Sequence, residues 1–264
     1  MKKMSRTVRA AVAVSLIGGA AGCAAGQGAG DTLPAAPASY ASAERLPERL
    51  APDGTTIWVG NPAARSTVEV FEDPRCPVVE EYERTGAREL QKLLLEGEIK
   101  AEYTLASFKD IRLGGDGSKQ AVNALRAALE KGKFVEYHAV LWKYQTEVES
   151  SSGFTTDRLL ELAQQVPGLR DAAFDQAVRT MKYRSFVAAS QQAYQNTGDD
   201  PIGPGTPTII VNSHTIDGGL YGFNFDRKLF RQMVKDLHDF PYTWESVYKP
   251  VQEQTEAEEE YAEP

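Results

Sequence analysis

The sequence contains little cysteine. Its 264 residues include only two, Cys23 and Cys76. Cys23 lies in an Ala- and Gly-rich stretch near the N-terminus, so Cys76 is the one cysteine in the part of the chain with the composition of a folded domain. A reaction in which an internal disulfide opens and closes needs two thiols in one site. The sequence therefore excludes such a reaction within the folded part.

Histidine is scarce too, and basic residues do not cluster. His138, His214 and His238 lie far apart in sequence, and no pair has metal-ligand spacing, so we predict no metal site. His138 lies among apolar residues of a predicted helix, which favours a hydrogen-bonded core or interface histidine. No basic stripe with interleaved aromatic residues is present, and the formal net charge is -8. We therefore predict no nucleic-acid partner, and no motif implies a cofactor.

The N-terminal residues have the pattern of an export signal. An apolar run over 10–22 follows a positive segment and is too short for a permanent membrane span. We predict a signal peptide over residues 1–22, on the basis of four basic residues without an acidic one: Lys2, Lys3, Arg6 and Arg9.

Cys23 directly follows the small residues Ala20, Ala21 and Gly22. This order resembles a bacterial lipobox, in which the chain is cut before the cysteine and the thiol receives a diacylglycerol. Ala20 stands where that pattern prefers leucine, so ordinary signal cleavage near Ala24 or Ala25 is the alternative. We favour a lipoprotein with Cys23 as the lipidation site, held at the outer face of the bacterial cytoplasmic membrane; the alternative predicts a secreted protein.

Two segments flank the predicted domain. Residues 23–53 are rich in Ala, Gly, Ser and Pro and predict a flexible tether. Residues 242–264 are acidic and predict a disordered, solvated tail. Between them, residues 54–241 suffice for one domain with a sizeable core.

The hydrophobic periodicity of residues 54–241 predicts an α/β domain. Strands are expected at 55–60, 67–71 and 99–106, with a helix beginning at Pro77 and ending at Gly97. The period then changes to 3.6 for a helical block over about 116–200. Strands at 208–212 and 214–218 and a final amphipathic helix complete the order. Strands at both ends with one helical insertion are not the pattern of a doubly wound sheet.

Three segments of this domain resemble the DsbA-like branch of the thioredoxin superfamily. Residues 68–77, which read Val-Glu-Val-Phe-Glu-Asp-Pro-Arg-Cys-Pro, resemble the strand that leads to the active-site Cys-Pro. Residues 159–174 are similar to the inserted helices, and residues 205–208, Gly-Thr-Pro-Thr, resemble the loop with the cis-proline. The resemblance implies a thioredoxin-like fold with an inserted α-helical subdomain. It also implies Cys76 and Pro77 as catalytic residues and Thr206 and Pro207 as substrate-binding residues.

The chain departs from that family at two positions. Val79 stands where the second cysteine of Cys-x-x-Cys belongs, and Val70 stands where the family often has a buried carboxylate. Both departures predict a site that has left the dithiol cycle.

Three interpretations of Cys76 then remain open. It is a reactive monothiol that exchanges with exported client proteins or a small thiol, because a helix N-terminus favours the thiolate. Alternatively, the domain is a redox-inactive binding or chaperone-like module that uses the cis-proline groove. In the third interpretation, Cys76 is a small buried hydrophobic residue. The sequence does not indicate an oligomeric state.

Overall fold

A six-stranded mixed sheet lies at the centre of the protein. The computed structural model describes residues 39–151 and 153–254. The strand order is β1-β2-β4-β3-β5-β6, and only the central pair, β3 and β4, is parallel. The strands are β1 (Glu48–Leu50), β2 (Thr56–Gly60), β3 (Ser66–Glu72), β4 (Ile99–Leu105), β5 (Thr208–Val211) and β6 (His214–Thr215).

The register of the central strands defines the buried face of the sheet. Val70 of β3 pairs with Tyr103 of β4 and with Ile209 of β5, and all three are buried. Because side chains alternate along a strand, Glu72 points to the same face as Val70, whereas Glu69 points to the opposite face. The structure thus confirms the expected orientation of Glu69, which pairs with Glu102 away from the core.

Nine α-helices surround the sheet within the described residues. The predicted helical insertion runs from residue 117 to residue 195, close to the expected range of 116–200, and contains the fourth to the eighth of these helices. Their bounds are α1 (Pro77–Arg84), α2 (Gly86–Leu95), α3 (Lys109–Leu113), α4 (Gly117–Leu129), α5 (Phe134–Glu149), α6 (Thr156–Ala163), α7 (Ala172–Arg179), α8 (Arg184–Gln195) and α9 (Arg227–Asp239).

The single helix predicted from Pro77 to Gly97 is two helices. The chain leaves helical geometry at Thr85, whose φ is -120° and ψ is -96°. Gly86 follows because a Cβ atom there would collide with the backbone carbonyl oxygen of Asn224. Periodicity could not reveal this break, since its cause lies about 140 residues away in sequence.

The folded region begins before residue 54, so the predicted tether is too long. Strand β1 pairs with β2, and the neighbouring Leu46 and Ala51 are buried. Glu48 of β1 also accepts hydrogen bonds from the backbone N–H groups of Phe134 (2.7 Å) and Val135 (3.0 Å), at the start of α5. These contacts satisfy N–H groups that a helix leaves unpaired, so they attach this strand to the insertion.

The folded region also continues past residue 241, where a disordered tail was predicted. A π-helical turn, Trp244–Tyr248, is followed by helix up to residue 254. Trp244 is buried and stacks on His214 with ring centroids 4.1 Å apart, and the hydroxyl of Tyr248 donates to Asp236 at 2.6 Å. The prediction of a disordered tail rested on acidic composition and did not take account of these two aromatic residues.

The predicted signal peptide, Cys23, the first part of the tether and residues 255–264 lie outside the described residues. Within the range that the structure does describe, none of the helices combines the length and apolar character needed to cross a bilayer.

Candidate functional site

Cys76 directly precedes helix α1. It is the N-cap residue, Pro77 follows at the first helical position, and the backbone N–H of Cys76 donates to the Asp73 carbonyl at 2.9 Å. Proline suits this position because its missing N–H would have no partner in the helix. The Cys76 side chain is 1% exposed, so a disulfide can reach it only after a small opening of its surroundings.

Thr206 and Pro207 lie directly beside Cys76. The peptide bond between them is cis, and the Cys76 thiol donates to the Thr206 carbonyl oxygen with Sγ and O 3.2 Å apart. Residues 130 positions apart in sequence are thus in contact, as the resemblance implied. The backbone N–H of Gly205 donates to the Tyr194 hydroxyl at 3.0 Å, which fixes the loop to α8.

Apolar side chains close the inner side of Cys76. Val79, one helical turn after Cys76, is fully buried and packs with Cys76 and Trp142 of α5. The position of a resolving thiol is therefore filled by a packed valine.

A buried carboxylate lies near this cluster, although one was predicted to be absent. Val70 is apolar and buried, but Glu72, on the same face of β3, is also fully buried. An oxygen of Glu72 lies 2.5 Å from Nε2 of His138, and Trp142 Nε1 lies 2.9 Å from the same nitrogen. The prediction that the site has lost its buried acid is wrong, because the acid stands two residues later on the strand.

His138 is confirmed as a hydrogen-bonded core residue, in a charged setting. Burial alone would lower the pKa of His138, but the carboxylates of Glu72 and Glu83 raise it above its ordinary value. Burial raises the pKa of Glu83, and the neighbouring Glu72 adds to that increase. The three groups form one buried charge cluster contributed by β3, α1 and α5.

Asp73 holds the loop that leads into Cys76. Its oxygens accept hydrogen bonds from the Ser118 hydroxyl at 2.6 Å, the Lys109 backbone N–H at 2.9 Å and the Arg75 backbone N–H at 3.0 Å. Asp73 is fully buried, and burial raises its pKa to about 6 despite these donors.

The Arg75 guanidinium binds carboxylates of α3 and α5. Its Nη1 donates to Asp110 at 3.1 Å and to the Gly114 carbonyl at 2.8 Å, and its Nε lies 3.0 Å from Glu149. The two carboxylates compensate the charge of Arg75. The guanidinium joins the Cys76 loop to α3 and α5.

Exposed hydrophobic residues border the site. Val78, two residues after Cys76, is 37% exposed, and Ile202, just before the loop of Thr206, is 55% exposed. Tyr221 is 41% exposed, and burial, with Cys76 as a further cause, raises its pKa. These three are exposed hydrophobic residues close to Cys76 and Thr206 in sequence or in electrostatic influence.

Sequence reasoning missed Glu72, Asp73 and the partners of His138 because they come from separate elements. One signal was available for Glu72: it continues the buried alternation of Val68 and Val70. Only the fold shows that Glu83 and His138 lie beside Glu72.

Comparison with known proteins agrees with this geometry. A family model described as thioredoxin matches residues 52–222. No match was found among curated protein sequences.

Several solved structures share the fold. BdbD from Bacillus subtilis in its oxidised form is 20% identical, with a TM-score of 0.58 over 72% of this chain and 96% of that one. MdbA from Actinomyces oris, a thiol-disulfide oxidoreductase, is 18% identical, with a TM-score of 0.58 over 69% of this chain and 88% of that one. DsbA from Chlamydia trachomatis is 18% identical, with a TM-score of 0.56 over 69% and 91%. These likenesses establish the thioredoxin-like fold of DsbA-type proteins.

The family match covers more than half of the sequence. The structure adds a parallel β3–β4 pair, a cysteine at the start of α1 and a cis-proline beside its thiol. The chain therefore belongs to the thioredoxin family.

Proposed function

We propose that this protein performs monothiol thiol–disulfide exchange through Cys76. The observation that carries the proposal is the contact of 3.2 Å between the Cys76 Sγ and the carbonyl oxygen of Thr206, beside the cis-proline. A substrate strand that pairs with the backbone at Thr206 would bring its own sulfur next to Cys76. Solved structures of the same fold include proteins described as thiol-disulfide oxidoreductases.

The exchange has two balanced steps. The Cys76 thiol loses its proton to solvent, and the thiolate attacks one sulfur of a substrate disulfide R–S–S–R′. The bond between Cys76 and R–S forms, the original S–S bond breaks, and R′–S⁻ leaves and takes up a proton. An external thiolate R″–S⁻ then attacks the R sulfur, which yields R–S–S–R″ and frees the Cys76 thiolate. Val79 has no thiol that could perform this second step from within the site.

The partners in this proposal are exported client proteins or a small thiol such as glutathione. The test uses a peptide whose single cysteine carries glutathione in a mixed disulfide, with excess reduced glutathione as the external thiol. We expect the protein to accelerate release of the peptide thiol in a saturable manner and Cys76→Ser to abolish the acceleration. Equal rates with the protein and with Cys76→Ser would contradict the proposal.

A second candidate function is peptide binding without redox turnover. The observation in its favour is the burial of Cys76, whose thiol is already bonded to the Thr206 carbonyl. In that case the peptide would bind equally well to the protein and to Cys76→Ser, as measured by fluorescence anisotropy, and neither would accelerate exchange.

We further propose that the protein acts outside the cytoplasm, anchored through lipid on Cys23. The support is the charged, apolar and small-residue order of residues 1–23. Metabolic labelling with a fatty-acid analogue should mark the membrane fraction of the unaltered protein and not Cys23→Ala. Label on neither, with the protein found in the medium, would favour ordinary signal cleavage and secretion.

A further inference from the structure

Three potential metal ligands lie close together between the sheet and helices α1 and α5. Glu72, Glu83 and His138 each offer one ligand atom, and the three atoms lie within 4.8 Å of one another. Ligands at about 2.1 Å from a tetrahedral ion are about 3.4 Å apart. The 2.5 Å contact between Glu72 and His138 would have to open by about 1 Å to admit an ion.

The carboxylates of this cluster have unsatisfied oxygens. Within the described residues, neither Oε2 of Glu72 nor Oε1 of Glu83 has a hydrogen-bond partner, although both atoms are buried. Glu72 is fully buried, so water cannot compensate freely. A buried carboxylate oxygen without a donor is costly, and a cation bound by these carboxylates would compensate that cost.

A divalent cation is compatible with the charges of the cluster. Two carboxylates face a single imidazole, which supplies at most one positive charge. Arg88 acts on Glu83 electrostatically but forms no ion pair with it among the described residues. Arg84, nearby, is engaged with Glu80 at 3.4 Å. A divalent ion bound to two carboxylates and a neutral imidazole leaves the cluster without net charge.

A cavity of about 380 Å³ gives access to this cluster. Its wall is formed by α1, α2 and α5, and both Glu83 and His138 line it, with Tyr103 and Trp142 beside them. An ion bound by three protein ligands here would keep one coordination position towards the cavity, for water or a small ligand.

The ligand types select the metal. Calcium and magnesium prefer sites made of oxygen alone, with six or more ligands. One imidazole and two carboxylates suit zinc, which accepts nitrogen and oxygen in a tetrahedral site with an open position. We propose that Glu72, Glu83 and His138 form a three-ligand Zn²⁺ site at the floor of this cavity.

Trp142 provides a local reporter for the ion. Its Nε1 lies 2.9 Å from His138 Nε2, the ring nitrogen that contacts Glu72 and through which the imidazole would bind the ion. Binding must therefore displace the indole from this nitrogen. Trp142 also packs against Cys76, so the reporter lies between the metal ligands and the thiol.

The test is calorimetric titration of the chelator-treated full chain with Zn²⁺ alone. We expect one ion per chain, a Zn²⁺-dependent rise in Tm and a change in intrinsic fluorescence that is absent in Trp142→Phe. His138→Gln should weaken binding at least about 100-fold, since second-layer losses alone cost 10–100-fold. Cys76→Ser should bind as the unaltered protein does, which separates this site from zinc held by a thiol.

Two further variants complete the test: Glu83→Gln removes a second proposed ligand, and His238→Gln is the control. His238 pairs with Asp239 outside the cluster, so His238→Gln should bind Zn²⁺ normally. If His138→Gln does not fold, loss of binding in folded Glu83→Gln supports the site. The proposal is overturned by the absence of one-to-one binding, or by folded Glu83→Gln or His138→Gln that binds as tightly as the unaltered protein.

Discussion

The substitution Val79→Cys should convert the monothiol site into a dithiol site. Val79 is fully buried, lies three residues after Cys76 in α1 and packs with it. Replacing valine by cysteine removes about one methyl group from the core, at a cost of about 1 kcal/mol. A disulfide between residues 76 and 79 closes a loop of four residues, and the chain-entropy relation gives about 2 kcal/mol for such a loop. The oxidised variant should thus be about as stable as the unaltered protein or slightly more stable.

The assay is mass spectrometry after incubation with excess oxidised glutathione. The unaltered protein should retain glutathione on Cys76, because no second thiol can displace it. Val79→Cys should release the glutathione and form a disulfide between residues 76 and 79, so that its mass is two hydrogens below that of the reduced variant. This disulfide should then oxidise a reduced dithiol peptide. Val78→Cys is the matched control: its thiol is exposed and two residues from Cys76, so the two sulfurs do not face each other along the helix. A stable glutathione adduct on folded Val79→Cys would refute the proposed arrangement of the site.

Three further predictions concern stability and pH, all measured by urea unfolding. Trp244→Ala should lower the free energy of unfolding by about 3–5 kcal/mol because it empties a buried aromatic position; a change under 1 kcal/mol would mean that this segment is dispensable. Arg75→Met should cost about 3–5 kcal/mol, since it leaves Asp110 buried without its cation, whereas Arg84→Met, which removes an exposed guanidinium, should cost under about 1 kcal/mol. The pKa of Asp73 rises from 3.8 to about 6 on folding, so the native state binds this proton more tightly; stability should fall by about 2 kcal/mol as the pH rises from 4 to 7. Asp73→Asn should reduce that slope, and an unchanged slope would assign it to other groups.

The elements that carry the fold could be predicted because their signals are local. The alternation before Cys76, proline at the first helical position and the Gly-Thr-Pro loop each depend on a few neighbouring residues. The resemblance to DsbA-like proteins, which these segments carry, implies that Cys76 and Thr206 meet, and the structure places them in contact.

The remaining parts depend on distant contacts that a linear pattern does not contain. Glu48 is anchored by the start of α5, and Trp244 by His214, so composition alone assigned both ends of the domain to unstructured segments. The break between α1 and α2 has its cause at Asn224. The cluster of Glu72 and His138 joins residues 66 positions apart, which spacing rules for metal or acid–base sites do not cover.

The central claim is that Cys76 forms mixed disulfides that the protein cannot resolve by itself. The most direct measurement is mass spectrometry of the full chain isolated from its host without reductant, after free thiols have been alkylated in acid-quenched cells. We expect a fraction of the chains to carry a reducible thiol adduct on Cys76, either a small thiol or a protein. A Cys76 that is alkylated in every chain, with no adduct before or after oxidant treatment of the cells, would contradict this expectation.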